Sequence, residues 1–423
     1  MKDDKKVPQL RFPEFTDAWK QRKLSDIALI VGGGTPSTNN PEYWDGEIDW
    51  YAPAEINGQI YADYSARKIT KLGLEKSSAK ILPAGKTVLF TSRAGIGKTA
   101  ILRRPAATNQ GFQSLVLNDE IDTYFVYSMT EIIKQKAEKI ASGSTFAEIS
   151  GKMLGGLSFM FPKYTEQNKI GTFFSKLDNL ITLQQRKLNS LQNLKKGLLQ
   201  KMFPKNGENI PEIRFPEFSD AWKQRKFGDS FDFLQNNTLS RASLNDTSGC
   251  AKNVHYGDIL VKFGESISAE KADLPFICER EILKKLSKSI LKNGDVVIAD
   301  TAEDMTTGKS CEIVDVDECM PVLAGLHTIP VRPKQKFGKY YLGYYLNSEA
   351  FHSQLIPLIQ GIKVYSISKS SIKDTVVMFP DDVQEQEKIG SLFNRIDNTI
   401  TLQQRKLESL QKLKKGLLQQ MFI

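Results

Sequence analysis

The segment that looks most like a chemical site is a glycine-rich loop, Gly95-Ile96-Gly97-Lys98-Thr99, which ends like a phosphate-binding loop. A phosphate-binding loop also needs a glycine five residues before its Gly-Lys-Thr, so that backbone N–H groups can wrap around the phosphate. Ser92 stands there instead, and the corresponding loop of the second half, ending in Gly308-Lys309-Ser310, lacks that glycine as well. The pattern therefore predicts a loop between strands that presents a lysine, and it disfavours an ATPase.

Other signatures of catalysis and metal binding are missing. There is no His-Glu-x-x-His or Gly-x-Ser-x-Gly motif, and the acids Asp300, Glu303 and Asp304 near Lys309 have no counterparts in the first loop. The three histidines are scattered and the four cysteines form no Cys-x-x-Cys pair, which disfavours a zinc site or a disulfide framework. We therefore expect no catalytic residue, no metal and no cofactor, and reduced thiols in a cytoplasmic protein.

Length and charge narrow the classes of protein to which the chain could belong. A chain of 423 residues is expected to form two or three domains. No apolar run approaches the ~18 residues needed to cross a bilayer, and the first residues contain no apolar signal segment. The net charge of +9 is concentrated in residues 181–203, with +5, and residues 400–422, with +4. This excess indicates a polyanion or an acidic partner near both segments, unless they are solvated helix faces.

The basic segments belong to an internal duplication. Residues 8–27 return as residues 211–230 with 14 of 20 identities, and residues 181–203 return as residues 400–422 with 20 of 23 identities. The middles between these repeated ends are dissimilar, and residues 204–213 have the proline, glycine and asparagine content of a linker. The chain is thus two copies with similar ends and different middles, which does not fit a solenoid.

The second repeated segment predicts a long helix in each copy, because residues 166–203 contain no proline and their apolar residues recur at steps of three and four. A helix of ~38 residues is ~57 Å long, too long for one small domain to cover. We therefore expect the two helices to form an antiparallel coiled coil with pseudo-two-fold symmetry. Gln184 and Gln403 interrupt both stripes at matching positions, and they either fix the register or are partly exposed. The expected interface residues are Leu177, Ile181, Gln184, Leu188, Leu191, Leu198, Ile396, Ile400, Gln403, Leu407, Leu410 and Leu417.

The two middles share a skeleton of short strands. Each has a strand, a polar loop ending in Gly-Lys and a second strand, within residues 85–102 and 294–313. A helix follows near residues 122–140 and 338–356, and then a polar loop and a short strand. The predicted fold class is α+β, with two similar mixed α/β domains of many short strands separated by the two long helices. The predicted boundaries are 1–165 and 206–384 for the domains, and 166–205 and 385–423 for the helices.

This arrangement resembles the specificity subunit of a Type I restriction–modification system. The matching pieces are RFPEF followed by AWKQRKL, GGTPST followed by YWDGEIDW, the loop SGSTFAEISGKML, and Glu-Gln-x-Lys-Ile at residues 166–170 and 385–389. No single motif is specific, but the duplicated set spans nearly the whole chain. One departure is Asn236-Asn237-Thr238, which stands where the first copy has GGTPST.

The resemblance implies a subunit that is not itself catalytic. Two target-recognition domains would each read one half of an interrupted, asymmetric site in double-stranded DNA. The long helices would set the gap between the half-sites and dock two modification subunits that methylate adenine. Restriction subunits would join the larger complex, and no membrane would be involved. S-adenosylmethionine, ATP and Mg²⁺ are expected only in the partner subunits.

Loop residues suited to phosphates and base edges are the expected DNA contacts. In the loop after the helix of each middle, Glu148 could accept a hydrogen bond from cytosine and Lys363 could donate one to guanine. The competing hypothesis is a helical adaptor that bridges two proteins without DNA, which would show apolar patches at these loops. The expected contacts are Thr35, Ser37, Arg93, Lys98, Gln110, Gln113, Ser144, Thr145, Glu148, Lys309, His327, Gln360, Lys363 and Tyr365.

Overall fold

The computed structural model describes residues 7–93, 95–141, 147–205 and 207–423. The chain forms two compact units. The first unit comprises Met1–Gln185 and Arg405–Ile423, and the second comprises Arg186–Gln404. Among the described residues, no helix combines the length and the apolar character needed to cross a membrane.

Short strands and short helices lead into one long helix in each copy. The elements of the first copy are β1 Lys20–Lys23, α1 Leu24–Ile27, β2 Ala28–Gly32, β3 Trp44–Tyr51, β4 Tyr61–Ala62, β5 Arg67–Ile69, α2 Lys71–Glu75, β6 Thr87–Phe90, β7 Thr99–Leu102, β8 Ala106–Thr108, β9 Gln113–Leu117, α3 Thr123–Ser128, α4 Thr130–Ile140, α5 Gly151–Gly156, β10 Ser158–Phe161 and the long helix α6 Tyr164–Lys201. Those of the second copy are β11 Lys223–Lys226, α7 Phe227–Ser230, β12 Phe231–Phe233, β13 Ala251–Val254, α8 Tyr256–Val261, β14 Ser266–Ser268, β15 Phe276–Ile277, α9 Arg280–Lys285, β16 Val296–Ala299, β17 Thr301–Ala302, β18 Ser310–Val314, β19 Val322–Ala324, β20 Thr328–Pro333, α10 Tyr341–Asn347, α11 Glu349–His352, β21 Tyr365–Ser366, α12 Lys369–Lys373, β22 Val376–Phe379 and the long helix α13 Val383–Met421.

The two copies have the same sheet topology. A five-stranded sheet runs β2-β9-β6-β7-β4 in the first and β12-β20-β16-β18-β14 in the second. A three-stranded sheet runs β5-β3-β8 in the first and β15-β13-β19 in the second, and both sheets mix parallel and antiparallel pairs. The central strands β6 and β16 are buried at every residue, and apart from Thr87 at the start of β6 their residues are apolar without alternation. The predicted α+β class and the shared skeleton are confirmed.

The helices after the central sheets are shorter than predicted. The single helix expected near residues 122–140 is divided into α3 and α4 at Met129, where the Thr130 hydroxyl donates to the Tyr127 carbonyl at 2.7 Å. Such side-chain bonds compete with the helical ladder. The helix expected near residues 338–356 is likewise divided into α10 and α11, because Ser348 adopts an extended conformation between them.

Each unit pairs one half of a long helix with the opposite end of the other, so the helices run antiparallel in both units, as predicted. The start of α6 packs with the end of α13 in the first unit, and the end of α6 with the start of α13 in the second. The compact units consequently divide within the helices, whereas the predicted boundaries follow the helix ends. The predicted interface residues in the two hydrophobic clusters are Leu177, Ile181, Leu410 and Leu417 in the first unit and Leu198, Ile396 and Ile400 in the second.

The other predicted helix residues differ in burial. Leu188 and Leu407 are buried, and Leu191 is half-buried. The amide oxygen atoms of Gln184 and Gln403 are buried and have no hydrogen-bond partner among the described residues. A role of the two glutamines in fixing the register stays a prediction.

A buried ion pair attaches the first repeated segment to the long helix of its own copy. The Arg11 guanidinium donates to both oxygens of Glu166 at 2.7 Å, and the Trp19 indole N–H donates to Glu166 Oε1 at 3.2 Å. Glu166 is only 2% exposed. In the second unit Arg214, Trp222 and Glu385 repeat this arrangement. The hydrogen bond that Arg11 donates to Glu166 raises the pKa of Arg11 against the opposing effect of burial.

The same segment also contacts the end of the other long helix. In the first unit the Leu10 N–H donates to the Gln420 carbonyl at 2.9 Å, and the Trp19 ring packs edge-on against Phe422. In the second unit the Ile213 N–H donates to the Lys201 carbonyl, and Trp222 packs against Phe203 in the same way. Each segment therefore joins the start of one long helix to the end of the other.

A second set of polar contacts links the paired helices. In the first unit the Tyr124 hydroxyl donates to Asp178 Oδ2 at 2.8 Å, and Lys414 Nζ lies 2.5 Å from Asp178 Oδ1. The pKa of Tyr124 is raised, first by burial and then by the charge of Asp178. The triad thus ties a short helix of the domain to both long helices of the unit.

The second unit contains the same triad. The Tyr344 hydroxyl donates to Asp397 Oδ2 at 2.6 Å, and Lys195 Nζ lies 2.7 Å from Asp397 Oδ1. Lys195 also contacts Glu265 at 2.9 Å. Burial lowers the pKa of Lys195, but Glu265 and Asp397 outweigh that effect and the pKa is raised, so the ammonium stays charged.

Candidate nucleic-acid interface

Four loops meet at one end of the five-stranded sheet in the first unit. The Ser92 N–H, in the loop between β6 and β7, donates to the Gly111 carbonyl at 2.8 Å, and the Ile149 N–H donates to the Ser92 carbonyl at 3.1 Å. The Gly34 N–H donates to the Thr108 carbonyl at 2.8 Å, which adds the loop after β2. The backbone therefore brings together the loops that hold the candidate residues of this unit.

The side chains predicted to contact DNA in this unit occupy different positions in the loops. Thr35 and Gln110 are hydrogen-bonded to each other, and Ser37 is exposed. Gln113, on β9, lies against the backbone of Gly32 and Gly151, so its amide is partly used in packing. Arg93 is half-buried and Glu148 is exposed. Ser144 and Thr145 lie outside the described residues. Contact with DNA stays a prediction for all of these side chains.

The same loops meet in the second unit. The Asp300 N–H donates to the His327 carbonyl at 3.1 Å, and the Ile367 N–H donates to the Asp300 carbonyl at 2.9 Å. The Asn237 N–H donates to the Ala324 carbonyl at 2.9 Å, as that of Gly34 does to Thr108. Asn237 stands where the first unit has Gly34, and its side-chain amide donates to Asn253 Oδ1 at 2.7 Å. The departure from the GGTPST sequence therefore preserves the backbone position of the loop.

The two loop lysines have equivalent backbones but different side-chain environments. The Lys98 carbonyl accepts from the Thr91 N–H at 3.0 Å, and the Lys309 carbonyl accepts from the Ala299 N–H at 2.9 Å. Both lysines follow a glycine at positive φ, Gly97 and Gly308. Lys98 is exposed, whereas Lys309 is half-buried.

The Lys309 ammonium is already hydrogen-bonded within the protein. It donates to the Phe263 carbonyl at 2.8 Å and to the Leu260 carbonyl at 3.2 Å. A phosphate contact by Lys309 would require the ammonium to leave both carbonyls, so Lys98 is the better placed of the two for DNA.

The roles of Lys98 and Lys309 can be distinguished experimentally. We expect Lys98→Ala to weaken binding to duplex DNA of any sequence and to reduce the slope of log K against log salt by about one, because one phosphate contact is lost. Lys309→Ala is the matched control, and we expect it to lower the unfolding midpoint and leave the slope unchanged. Salt titrations of both variants test this, and an equal loss of slope in both would assign the same role to the two lysines.

The loops after the domain helices end at equivalent residues. Ile149 and Ile367 are buried, and the hydroxyls of Ser150 and Ser368 accept from the first turns of α5 and α12. In the second unit residues 360–366 form a hairpin that carries three of the predicted contacts. Gln360 and Lys363 are exposed, and Tyr365 is half-buried on β21.

His327 lies beside this hairpin. It is exposed with a φ of 55°, and its Nδ1 is 3.4 Å from Asp300 Oδ1. The Tyr256 ring packs edge-on against it at 5.3 Å between ring centroids. His327 is therefore held at the loop surface by an acid and an aromatic ring, and its contact with DNA stays a prediction.

Sequence reasoning missed the residues that attach the first repeated segment to the long helix of its own copy. Arg11, Trp19 and Glu166 lie within motifs that carried the family resemblance, but their types alone indicated no pairing. Their repetition as Arg214, Trp222 and Glu385 was the available signal. Within the described ranges no three His, Cys, Asp or Glu side chains could together hold a metal ion.

The comparisons with known proteins agree on one family. The family model described as "Type I restriction modification DNA specificity domain" matches twice, at residues 16–193 and 219–412. The MjaIX specificity subunit of Methanocaldococcus jannaschii is 33% identical over 221 residues, which cover 50% of this chain and 51% of that protein. The MjaVIII specificity subunit of the same organism is 24% identical over 98% of this chain and 93% of its own length. The chain thus spans about half of the first relative and nearly all of the second.

Solved structures show the same fold. The crystal structure of the S subunit of a Type I restriction–modification system from M. genitalium aligns over 99% of both chains with a TM-score of 0.59 at 15% identity. A chain from a study of complex assembly and conformational transition of the Type I R-M system aligns over 96% of this chain and 97% of its own, with a TM-score of 0.51.

Proposed function

The chain belongs to the family of Type I restriction–modification DNA specificity domains, and we propose that it is the DNA-reading, non-catalytic subunit of such a system. The observation that carries the proposal is one sheet topology built twice with different loop residues. Loops on a rigid scaffold are where recognition residues can change without loss of the fold. Two units with different loops would read two different half-sites, so the double-stranded target would be asymmetric and interrupted.

Within each unit the loops at the end of the five-stranded sheet would contact DNA. Lys98 would bind a phosphate, and exposed residues such as Gln110, Glu148, Gln360 and Lys363 would reach base edges. Methyl transfer and the ATP-dependent reactions would take place in the modification and restriction subunits. Their S-adenosylmethionine, ATP and Mg²⁺ would bind there and not to this chain.

The long helices would dock two modification subunits. Each unit has one strongly exposed leucine from each long helix, at 50–63% exposure: Leu183 and Leu413 in the first unit, and Leu402 and Leu194 in the second. Leu183 and Leu402 occupy the same position of the repeated segment, and so do Leu194 and Leu413. Leucines kept at exposed helix positions in both copies indicate a partner surface. One surface in each unit accounts for two modification subunits per chain.

The docking surfaces predict a stepwise loss of partners. We expect Leu183→Glu with Leu413→Glu to remove one modification subunit, and all four leucine substitutions to remove both, because a charge would be buried at each interface. Native mass spectrometry of the reconstituted complex gives the stoichiometry. Gln192→Glu with Gln411→Glu is the matched control, since it adds the same charge at exposed positions of the same helices. Two bound subunits in the fourfold leucine variant would contradict the proposal.

Methylome sequencing tests the function as a whole. A host with this chain and its modification subunits should show methyladenine in one bipartite, asymmetric motif, and that motif should vanish when this gene alone is deleted. Persistence of the motif, or the absence of any motif, would favour the alternative of an adaptor without DNA reading.

A further inference from the structure

The hairpin of residues 360–366 ends in an exposed aliphatic tip. Ile362 is 91% exposed and Val364 is 56% exposed, with the exposed Lys363 between them. We propose that this tip enters the major groove of the half-site read by the second unit and that Ile362 packs on the methyl group of a thymine. The inference rests on the proposed function and adds a specificity-determining residue with its chemical target.

The backbone holds the tip in one conformation. Gln360 and Ser366 exchange two backbone hydrogen bonds, of 2.9 and 2.8 Å, which close the hairpin. Gly361 has a φ of 135°, and a Cβ there would lie 1.9 Å from the Val364 carbonyl oxygen, so only glycine fits. β21 pairs with β17, and the Ile367 N–H is bound to Asp300. A tip fixed in this way can present an apolar side chain to a ligand without a large loss of conformational entropy.

The charges around the tip favour a base edge over the phosphate backbone. β17 and β21 pair antiparallel, with Ala302 opposite Tyr365, and Glu303 and Asp304 follow Ala302 directly in the chain. Both acids are exposed. Two carboxylates against the single charge of Lys363 would repel a phosphate, whereas a carboxylate can accept a hydrogen bond from a cytosine amino group in the groove.

The size and chemistry of the tip indicate which group it contacts. Two aliphatic side chains are far smaller than the ~800 Å² that each partner buries in a standard protein interface. In the major groove the thymine C5-methyl is the apolar group that distinguishes one base pair from the others. An aliphatic tip among polar, base-reading side chains therefore fits a thymine methyl.

Deoxyuridine substitution removes that methyl and nothing else. Once the bipartite motif is known, each thymine of both half-sites is replaced singly by deoxyuridine, and equilibrium binding by the complex with its modification subunits is measured. We expect at least one replacement in one half-site to weaken binding about fourfold, the factor that corresponds to one buried methyl-sized group. In the Ile362→Ala complex that penalty should disappear, and thymines of the other half-site should behave as in the wild type.

The conservative variant and a fluorescent probe sharpen the result. Ile362→Val should retain most of the penalty, and Ile362→Ala should leave the unfolding midpoint unchanged because the side chain is exposed. Binding without a deoxyuridine penalty in either half-site, or with a penalty that persists in Ile362→Ala, would overturn the assignment. So would 2-aminopurine fluorescence that rises on binding of the wild type and not of Ile362→Ala, since this would indicate a wedge that unstacks bases. Failure to bind a bipartite site at all would instead refute the proposed function.

Discussion

Glu166→Ala is expected to destabilise the first unit by about 3–5 kcal/mol. It leaves the Arg11 guanidinium, whose side chain is 12% exposed, without its counter-charge and the Trp19 N–H without an acceptor, and loss of one partner of a largely buried pair costs this much. For a unit of this size the loss corresponds to a fall in midpoint of roughly 10 °C. Thermal unfolding followed by circular dichroism measures it, and hydrogen exchange should localise the loss to the first unit.

A double variant separates the missing partner from the missing pair. Arg11→Leu with Glu166→Leu removes both charges and keeps the volume apolar, so it should cost much less than Glu166→Ala alone. Glu385→Ala, the equivalent change in the second unit, should cause a similar loss there because its ion pair has nearly the same distances. Equal destabilisation by the single and double variants of the first unit would show that packing, and not the charge, is responsible.

Matched insertion of seven residues into both long helices is expected to lengthen the unread gap by about three base pairs. The chain passes between its units after Gln185 and after Gln404, so insertions at these two points leave each unit internally intact. Seven residues add ~10.5 Å of helix, and ~3.4 Å corresponds to one base pair. The seven-residue repeat also keeps the apolar stripes in phase. Methylome sequencing should return both half-sites unchanged around a longer gap.

Insertion into only one helix is the informative control. With α6 lengthened and α13 unchanged, one connection between the units becomes longer than the other, so one helix must bulge or lose its pairing. We expect less assembled complex and no new methylation motif. If a single insertion shifted the gap as cleanly as the paired one, or if the half-site bases changed, the helices would not act as the ruler.

The parts of the fold that could be predicted from sequence are those whose residues form a local pattern along the chain. The long helices follow from apolar residues at steps of three and four, and the central strands from continuous apolar runs such as residues 88–90. The short strands β4, β15 and β17 have only two residues each, and their sequences differ little from those of loops. They exist because a neighbouring strand pairs with them, which no local pattern records.

For the candidate site, sequence predicted the positions of the loop residues better than the contacts that their side chains make. Aligning the middles placed Lys98 and Lys309 at equivalent points, and the backbone bonds agree. The partners of Lys309 are carbonyls of residues 260 and 263, which are distant in sequence and invisible to composition. For the same reason sequence alone does not pair Asp178 with Lys414, although Lys414 lies in a repeated segment and Asp178 just before one.

The location of Phe422 has a consequence for the order in which the protein can fold during synthesis. Its ring packs against Trp19, Phe125 and Phe174 in the core of the first unit. The second unit is one continuous segment, residues 186–404, whereas the first unit is completed only by residues 405–423, which are synthesised later. The usual order, in which N-terminal domains fold first, is therefore reversed. Until residues 405–423 are synthesised, Trp19 lacks the Phe422 ring that packs against it, so the core of the first unit stays incomplete while the second unit can already fold.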